Sequence, residues 1–253
     1  MSGHSHWASI KHQKAAVDAK RGKLFSKLSK YIMTAARKGG GDPNMNLALR
    51  YAIDKAKAAS MPKDNIERAV KKGTGVLGGA LPEALAYEGY AAGGVAVLVE
   101  AVTDNRNRTA GEIRKVFEMR GGNMAGSGSV AWMFEPKGFF TVKRDVTDEE
   151  TLMNIVLDAG AEDLKTTDEQ YEITCPGQEF DHVRQALAAA KIPTEVAEIT
   201  QMPKMTIPIQ DPHVARRILD LLDNLEDHED VENVYANFDI PDDVLALATK
   251  DQE

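Results

Sequence analysis

The spacing of apolar positions predicts a helix near the start of the chain. Over residues 18–38, apolar side chains recur at intervals of three and four positions, which places them on one face of an α-helix. They are Leu24, Leu28, Tyr31 and Ala35. The basic residues of this segment fall on the opposite side of the helix, and no acid interrupts them after Asp18. We call this set the lysine face: Lys20, Lys23, Lys27, Lys30 and Arg37.

Two further helices are predicted before residue 78. Asp42 and Pro43 are typical of a helix cap and first turn, and an apolar face follows over Leu47–Ala59. A third, short helix begins near Asp64 and ends at Lys72, before Gly73. The sequence therefore predicts a three-helix basic domain at the N-terminus.

Beyond residue 79 the pattern becomes mixed α/β. Tyr90–Phe134 predicts strand, helix and strand, with the second strand at Ser129–Phe134. Residues 138–202 predict the order β-α-β-β-α-β, which is ferredoxin-like. A strand, a helix and a last strand over 205–240 would complete the domain that begins at Tyr90.

These elements define an α+β multidomain fold class. We predict a basic helical domain with an N-terminal arm over residues 1–78. An α+β domain is expected over 79–134 together with 205–253. The ferredoxin-like domain, 135–204, would be inserted into it.

Charge is distributed unevenly along the chain. Residues 1–80 hold 16 Lys/Arg and 5 Asp/Glu, a net charge of +11. The remaining 173 residues hold 15 basic and 34 acidic residues, a net charge of −19. A basic domain on an acidic remainder favours contact with a polyanion through the basic end, although a lysine-rich solvated helix gives the same pattern.

Nucleic-acid phosphates are the expected partners of the basic domain, because none of its predicted helices carries base-reading Asn, Gln and Arg near its N-terminus, as a recognition helix would. Residues 1–17 are predicted to be an arm that is mobile in the free protein. Trp7 in this arm would either pack onto the helices or stack on a base. The predicted contacts are Trp7, Lys11, Lys14, Lys20, Arg21, Lys23, Lys27, Lys30, Arg37 and Lys38.

Arg106 and Arg108 follow a strand and precede a predicted helix, whose capping box would be Thr109 and Glu112. They would either contact an anion at the helix N-terminus or remain surface charges beside a turn. The sequence carries no signature of a catalytic triad and no zinc-ligand spacing among its histidines. We therefore predict no catalytic residues, no metal and no cofactor.

The remaining composition indicates the cellular compartment. Cys175 is the single cysteine, so no intrachain disulfide is possible, which is typical of a reducing cytoplasm. The N-terminal residues do not form a secretory signal, and no apolar run approaches the ~20 residues that span a bilayer. The sequence predicts a cytoplasmic protein with no membrane partner, and it leaves the oligomeric state open.

Several long motifs resemble those of the YebC family. They are GHSHWASIKHQKAAVDAKRGKLFSKL at 3–28, GGGDP at 39–43, MPKDNIERAVKKGTG at 61–75, GGVA at 93–96, TDNRNRT at 103–109 and GSVAWMF at 128–134. The resemblance runs nearly end to end. It departs at His6, where the family usually has Lys, which removes one fixed charge from the arm.

The resemblance implies a three-domain protein that regulates gene expression. The family is largely described as DNA-binding transcriptional regulators, and this is the function we predict. The alternative implied by the family is a ribosome-associated translation factor that contacts ribosomal RNA and eases stalled translation. A third alternative, a hydrolase with an arginine anion clamp at Arg106 and Arg108, has less support.

Overall fold

The computed structural model describes residues 19–78 and 82–249, and these form two compact units. The first unit combines residues 19–78 and 82–131 with 206–249, and the second is Trp132–Met205. In the first unit we call residues 19–78 the bundle, and residues 82–131 with 206–249 the body. Among the described residues, no helix has both the length and the apolar character needed to cross a membrane.

The bundle consists of three helices around a small apolar core. They are α1 (Ala19–Gly39), α2 (Leu47–Ala58) and α3 (Lys63–Gly73). Leu28 and Ile32 of α1, Leu49 of α2 and Ile66 of α3 are buried together. Of the stripe predicted for α1, Leu28 and Ala35 are buried and Tyr31 is partly buried in this core, whereas Leu24 is exposed.

Asn46, rather than Asp42, caps helix α2. Its side-chain Oδ1 accepts a hydrogen bond from Leu49 N at 3.1 Å. Its Nδ2 donates to Ala35 O at 2.9 Å and to Gly40 O at 2.8 Å, at the C-terminal end of α1. The predicted start at Asp42 and Pro43 was wrong, because one amide that satisfies both helix ends outweighs a local cap signal.

The body is built on an antiparallel sheet with the order β3-β1-β2-β9. Its strands are β1 (Glu83–Tyr90), β2 (Ala96–Thr103), β3 (Asn123–Ala125) and β9 (Val231–Ala236). Helices α4 (Arg106–Met119) and α7 (Pro212–Glu226) share an apolar core with Val97 and Val99 of β2. Alternate residues of a strand point to opposite faces, so Leu98 and Glu100 lie on the other face. Helix α1 packs against β2 and β9.

Two short strands and a last helix complete the body. Strands β8 (Ile207–Pro208) and β10 (Phe238–Asp239) pair in parallel. Helix α8 (Asp242–Thr249) packs against α7.

The second unit has the predicted ferredoxin-like arrangement. Its strands are β4 (Phe134–Lys143), β5 (Asp163–Thr166), β6 (Gln170–Pro176) and β7 (Val196–Pro203), and its helices are α5 (Glu149–Asp158) and α6 (Phe180–Ala189). The antiparallel order β5-β6-β4-β7 follows from two β-α-β crossovers around a hairpin. Phe140 of β4 stacks on Phe180 of α6 with ring centroids 4.7 Å apart.

The predicted strand at Ser129–Phe134 was wrong. Strand β3 lies earlier, at Asn123–Ala125, and β4 begins only at Phe134. The buried carboxylate of Glu88 accepts hydrogen bonds from the backbone N–H groups of Gly128, Val130 and Ala131 at 2.6–2.8 Å. Burial alone would raise the pKa of Glu88, but these hydrogen bonds hold that pKa below its ordinary value. The segment is therefore fixed by a side chain from β1 and not by strand pairing.

Candidate nucleic-acid interface

Basic charge is concentrated in the bundle. Residues 19–78 contain 14 Lys/Arg and 4 Asp/Glu, a net charge of +10. The other residues of the chain are predominantly acidic, so the bundle is the part of the molecule that attracts a polyanion.

The predicted contact residues differ in how far the structure describes them. Trp7, Lys11 and Lys14 lie outside the described residues. Lys20, Arg21 and Lys23 belong to helix α1, but their side chains are outside the description. Lys27, Lys30, Arg37 and Lys38 are described in full, and they divide into two groups with different surroundings.

Arg37 and Lys38 lie exposed in the last turn of α1, at the same end of the bundle as the last turn of α3. The two helices touch there, since a Cβ added to Gly73 would meet Met33 O at 2.4 Å and Ala36 Cβ at 2.9 Å. Lys71 and Lys72 precede Gly73 directly. We call Arg37, Lys38, Lys71 and Lys72 the helix-end cluster.

The helix-end cluster offers four positive charges on two adjoining helix ends. Lys71 is exposed and Lys72 is half-buried. Arg37 Nη1 lies 3.5 Å from Pro82 O, a contact that leaves the side chain exposed. Basic residues in a last helical turn also complement the helix dipole, so these side chains stabilise the helices even when no ligand is bound. Lys71 and Lys72 were absent from the predicted contacts, although the Lys-Lys-Gly helix end was visible in the sequence.

Lys27 and Lys30 face the body instead of solvent. Lys27 Nζ donates to the backbone O of Glu226, at the end of α7, at 2.5 Å. Lys30 Nζ contacts Asp230 Oδ1 at 2.5 Å and the backbone O of Glu229 at 3.3 Å. Lys27 and Lys30 of the lysine face are thus in contact with the acidic body, whereas Arg37 of the same face is exposed, and phosphate binding at Lys27 and Lys30 stays a prediction.

Asp230 is the centre of this contact, and its side chain has no exposed surface. Its Oδ2 accepts hydrogen bonds from Arg108 Nη2 at 2.6 Å and from Thr109 Oγ1 at 2.7 Å. Burial alone would raise the pKa of Asp230, but the hydrogen bonds from Lys30, Thr109 and Arg108 outweigh it and hold that pKa at about 2. We call Lys30, Arg108, Thr109 and Asp230 the Asp230 junction.

Arg106 and Arg108 lie inside the first turn of α4, not before it. The cap is Asn105, whose Oδ1 accepts from Arg108 N at 3.1 Å, so the predicted capping box of Thr109 and Glu112 was wrong. The Thr109 hydroxyl binds Thr103 and Asp230 instead.

The predicted anion contact at Arg106 and Arg108 stays a prediction. The guanidinium of Arg108 pairs with four carboxylates, so an anion there would compete with the protein's own acids. These are Asp104 at 3.6 Å, Glu112 at 4.0 Å, Glu229 at 3.5 Å and Asp230 at 2.6 Å.

A group of possible metal ligands overlaps the junction. Glu112, His228 and Asp230 bring ligand atoms within 4.8 Å of one another. However, His228 Nε2 lies 2.9 Å from Glu112 Oε2, and both Asp230 oxygens already contact cationic side chains. A metal ion would have to displace Lys30 and Arg108, so we assign this group to the salt-bridge network.

Fold and charge together define a multidomain α+β protein with a basic helical bundle. Residues 5–76 match the TACO1/YebC protein N-terminal domain, and residues 82–238 match the TACO1/YebC second and third domain. The chain belongs to the TACO1/YebC family, which confirms the resemblance found in its motifs.

Similar proteins cover almost the whole chain. A probable transcriptional regulatory protein of Syntrophobacter fumaroxidans is 54% identical, over 97% of this chain and 98% of the relative. One of Geobacter sulfurreducens with the same description is 55% identical, over 95% and 96%. The crystal structure of the conserved hypothetical protein Aq1575 from Aquifex aeolicus is similar, with a TM-score of 0.84 and 48% identity over 94% of this chain and 98% of that one.

Proposed function

We propose that this protein is a nucleic-acid-binding regulator of gene expression, acting on DNA as a transcriptional regulatory protein. One observation carries the proposal: exposed basic side chains are concentrated on the bundle, whereas the rest of the chain is acidic. The descriptions of the relatives as probable transcriptional regulatory proteins support the same class. We propose a cytoplasmic, non-catalytic role.

The helix-end cluster is our choice for the first phosphate contact. Its four side chains sit at one end of the bundle, away from the apolar core. Lys and Arg contact phosphates irrespective of sequence, and each contact releases counterions from the nucleic acid. The arm residues Trp7, Lys11 and Lys14 would add contacts to the same target.

Neutralising the helix-end cluster tests the proposal. The variant Arg37→Gln, Lys38→Gln, Lys71→Gln and Lys72→Gln should bind a mixed-sequence DNA duplex more weakly than the wild type. Its plot of log affinity against log salt should flatten by up to about 0.9 for each lost phosphate contact. Fluorescence anisotropy over a salt series measures both quantities, and circular dichroism checks that the bundle remains helical.

A matched control carries the same loss of four charges outside the bundle: Arg114→Gln, Lys115→Gln, Arg144→Gln and Lys204→Gln, all exposed positions. If net charge alone governed binding, both variants would lose affinity equally. Equal losses would therefore contradict the assignment to the bundle. Firm binding to ribosomal RNA together with weak binding to the duplex would favour the alternative function, a ribosome-associated translation factor.

A further inference from the structure

We propose that the body acts as an intramolecular competitor of nucleic acid, because its contacts at Glu226 and Asp230 hold Lys27 and Lys30 of the lysine face, which a polyanion would otherwise contact. The inference rests on the proposed function. It adds a regulatory contact within the chain, in which the docked bundle and the nucleic-acid-bound bundle exclude each other at Lys27 and Lys30.

The first step of the argument is the chemistry of the contact. Lys30 meets a carboxylate, and Lys27 meets the carbonyl oxygen at the C-terminal end of α7, where the helix dipole is negative. Both groups present an oxygen acceptor at hydrogen-bond distance, as a phosphate would: the carboxylate with a full negative charge, the carbonyl with the partial negative charge of the helix end.

The second step is burial. Asp230 has no exposed surface and both of its oxygens are used, while the Lys30 side chain keeps 22% of its surface exposed, so a close phosphate contact at Lys30 competes with the contact to Asp230. When Lys30 leaves, Asp230 keeps hydrogen bonds from Arg108 and Thr109 within the body. The body therefore retains a satisfied carboxylate after the bundle separates, which makes the exchange reversible in principle.

The third step is the energetic consequence. The docked bundle binds nucleic acid through the exposed helix-end cluster, whereas the separated bundle adds Lys27 and Lys30 and binds more tightly. The observed affinity therefore rises with the fraction of separated bundle. A substitution in the body that weakens its contact with the bundle must then raise the affinity for nucleic acid, although the substitution adds no contact to the nucleic acid. A purely structural salt bridge predicts no such gain.

The variant Asp230→Asn tests this consequence on the full chain. It removes the charge that Lys30 contacts and leaves every basic side chain of the bundle in place. We expect its affinity for a mixed-sequence duplex to rise at least about fivefold, the lower end of typical coupling between sites.

The matched control is Glu229→Gln. It also removes one negative charge, from an exposed side chain that pairs with Arg108, but Lys30 contacts Glu229 through the backbone oxygen, which remains. We expect it to bind within about twofold of the wild type, because the loss of one exposed surface ion pair has a small effect. An Asp230→Asn variant that binds no more tightly than Glu229→Gln would overturn the proposal.

A second measurement does not depend on how Asp230→Asn folds. Donor and acceptor dyes are attached in an otherwise wild-type chain at Lys57→Cys, exposed on α2 of the bundle, and Met119→Cys, exposed on α4 of the body. Cys175 is buried and does not compete for the dyes. Saturation with the duplex should lower energy transfer as the bundle leaves the body.

The outcomes separate the two hypotheses. Binding in anisotropy with unchanged energy transfer refutes the competition and leaves the proposed function in place. No binding of the duplex refutes the proposed function and removes the competition with it. A fall in energy transfer on binding, together with the gain at Asp230→Asn where that variant folds, supports both.

Discussion

At the scale of single residues, Asp230 and Glu232 show how neighbouring groups set the pKa of a buried carboxylate. Hydrogen bonds from two cationic side chains hold the pKa of Asp230 at about 2 despite burial. Burial raises the pKa of Glu232 to about 7, and nearby Glu100 adds to the effect. The lysines of the bundle that face Glu232, which are Lys27, Lys30 and Lys55, only partly offset it.

The local backbone explains why Glu232 is placed this way. Strand pairing runs from Glu100 with Asn233 to Ala101 with Val231, so Glu232 is the extra residue of a β-bulge. Its Oε1 is buried and has no hydrogen-bond partner among the described residues. Asn233 and Tyr235 donate instead to Glu100, at 3.1 Å each.

The raised pKa of Glu232 predicts that stability falls as pH rises. An unfolded Glu loses its proton near 4.5, whereas the folded side chain keeps it to about 7. The contribution is fully present below pH 4.5 and is lost as pH rises through 7. Glu232→Gln should therefore match the wild type near pH 4 and exceed it near pH 8, by at most roughly 3 kcal/mol.

Urea unfolding at several pH values, read by hydrogen exchange in peptides of β9, measures the difference. The control Glu83→Gln makes the same chemical change at an exposed acid of the same sheet. Stability curves for Glu232→Gln that run parallel to the wild type would contradict this account. Asp230 adds the opposite dependence at lower pH, since its contribution is present above about 4 and is lost as pH falls toward 2.

At the scale of elements, the bundle depends on close approach of α1 and α3 at Gly73. Any side chain there would lie 2.4 Å from Met33 O and 2.8 Å from Met33 Cα, which are backbone atoms that cannot rotate away. Gly73→Ala should therefore push the helices apart and destabilise the bundle by about 1–3 kcal/mol. Urea unfolding read by hydrogen exchange in α1 and α3 tests this value.

Gly111→Ala is the control for the same chemical change. Gly111 lies inside α4, and a Cβ there would have no atom within 4 Å. The alanine should be neutral or stabilise the helix by up to about 1 kcal/mol, because Ala favours helix more than Gly. A Gly73→Ala variant as stable as the wild type would show that the helices do not meet as closely as described.

The elements that could be predicted are those with a clear local period. The apolar stripe of α1 and the ferredoxin-like order of the second unit follow from spacing alone. The short strand β3 has only three residues and follows a glycine pair, so it carries no period. The Asn46 cap and the Glu88 contacts join residues up to 43 positions apart, and no local pattern encodes such a meeting.

The candidate site was predictable to the same extent. Periodicity placed Lys27 and Lys30 on the side of α1 opposite the bundle core, and the structure agrees. Periodicity does not reveal that the body packs against this side of α1. Lys71 and Lys72 join Arg37 and Lys38 only because two helices end together, and this is a property of tertiary packing.

At the scale of the whole molecule, the arrangement of charge predicts affinity for DNA with little sequence discrimination. Among the described residues, most exposed basic side chains lie at helix ends or elsewhere on the surface, where they can contact phosphates. Asn46 precedes α2, but its amide is buried and fully used between two helices, so it cannot read a base. Base edges are read by side chains held rigidly in a groove, and phosphate contacts carry no sequence information.

We therefore predict strong salt dependence and a small specificity gap. A typical specific regulator binds its site ~4–10 kcal/mol more tightly than other DNA. For this protein alone, the gap should fall below that range, because phosphate contacts contribute equally at every site. Competition binding against a genomic fragment library at near-physiological salt measures the gap, and the variant with the helix-end cluster neutralised is the control. A strong preference for one fragment would contradict a phosphate-based interface and would favour base-reading residues in the arm that contains Trp7.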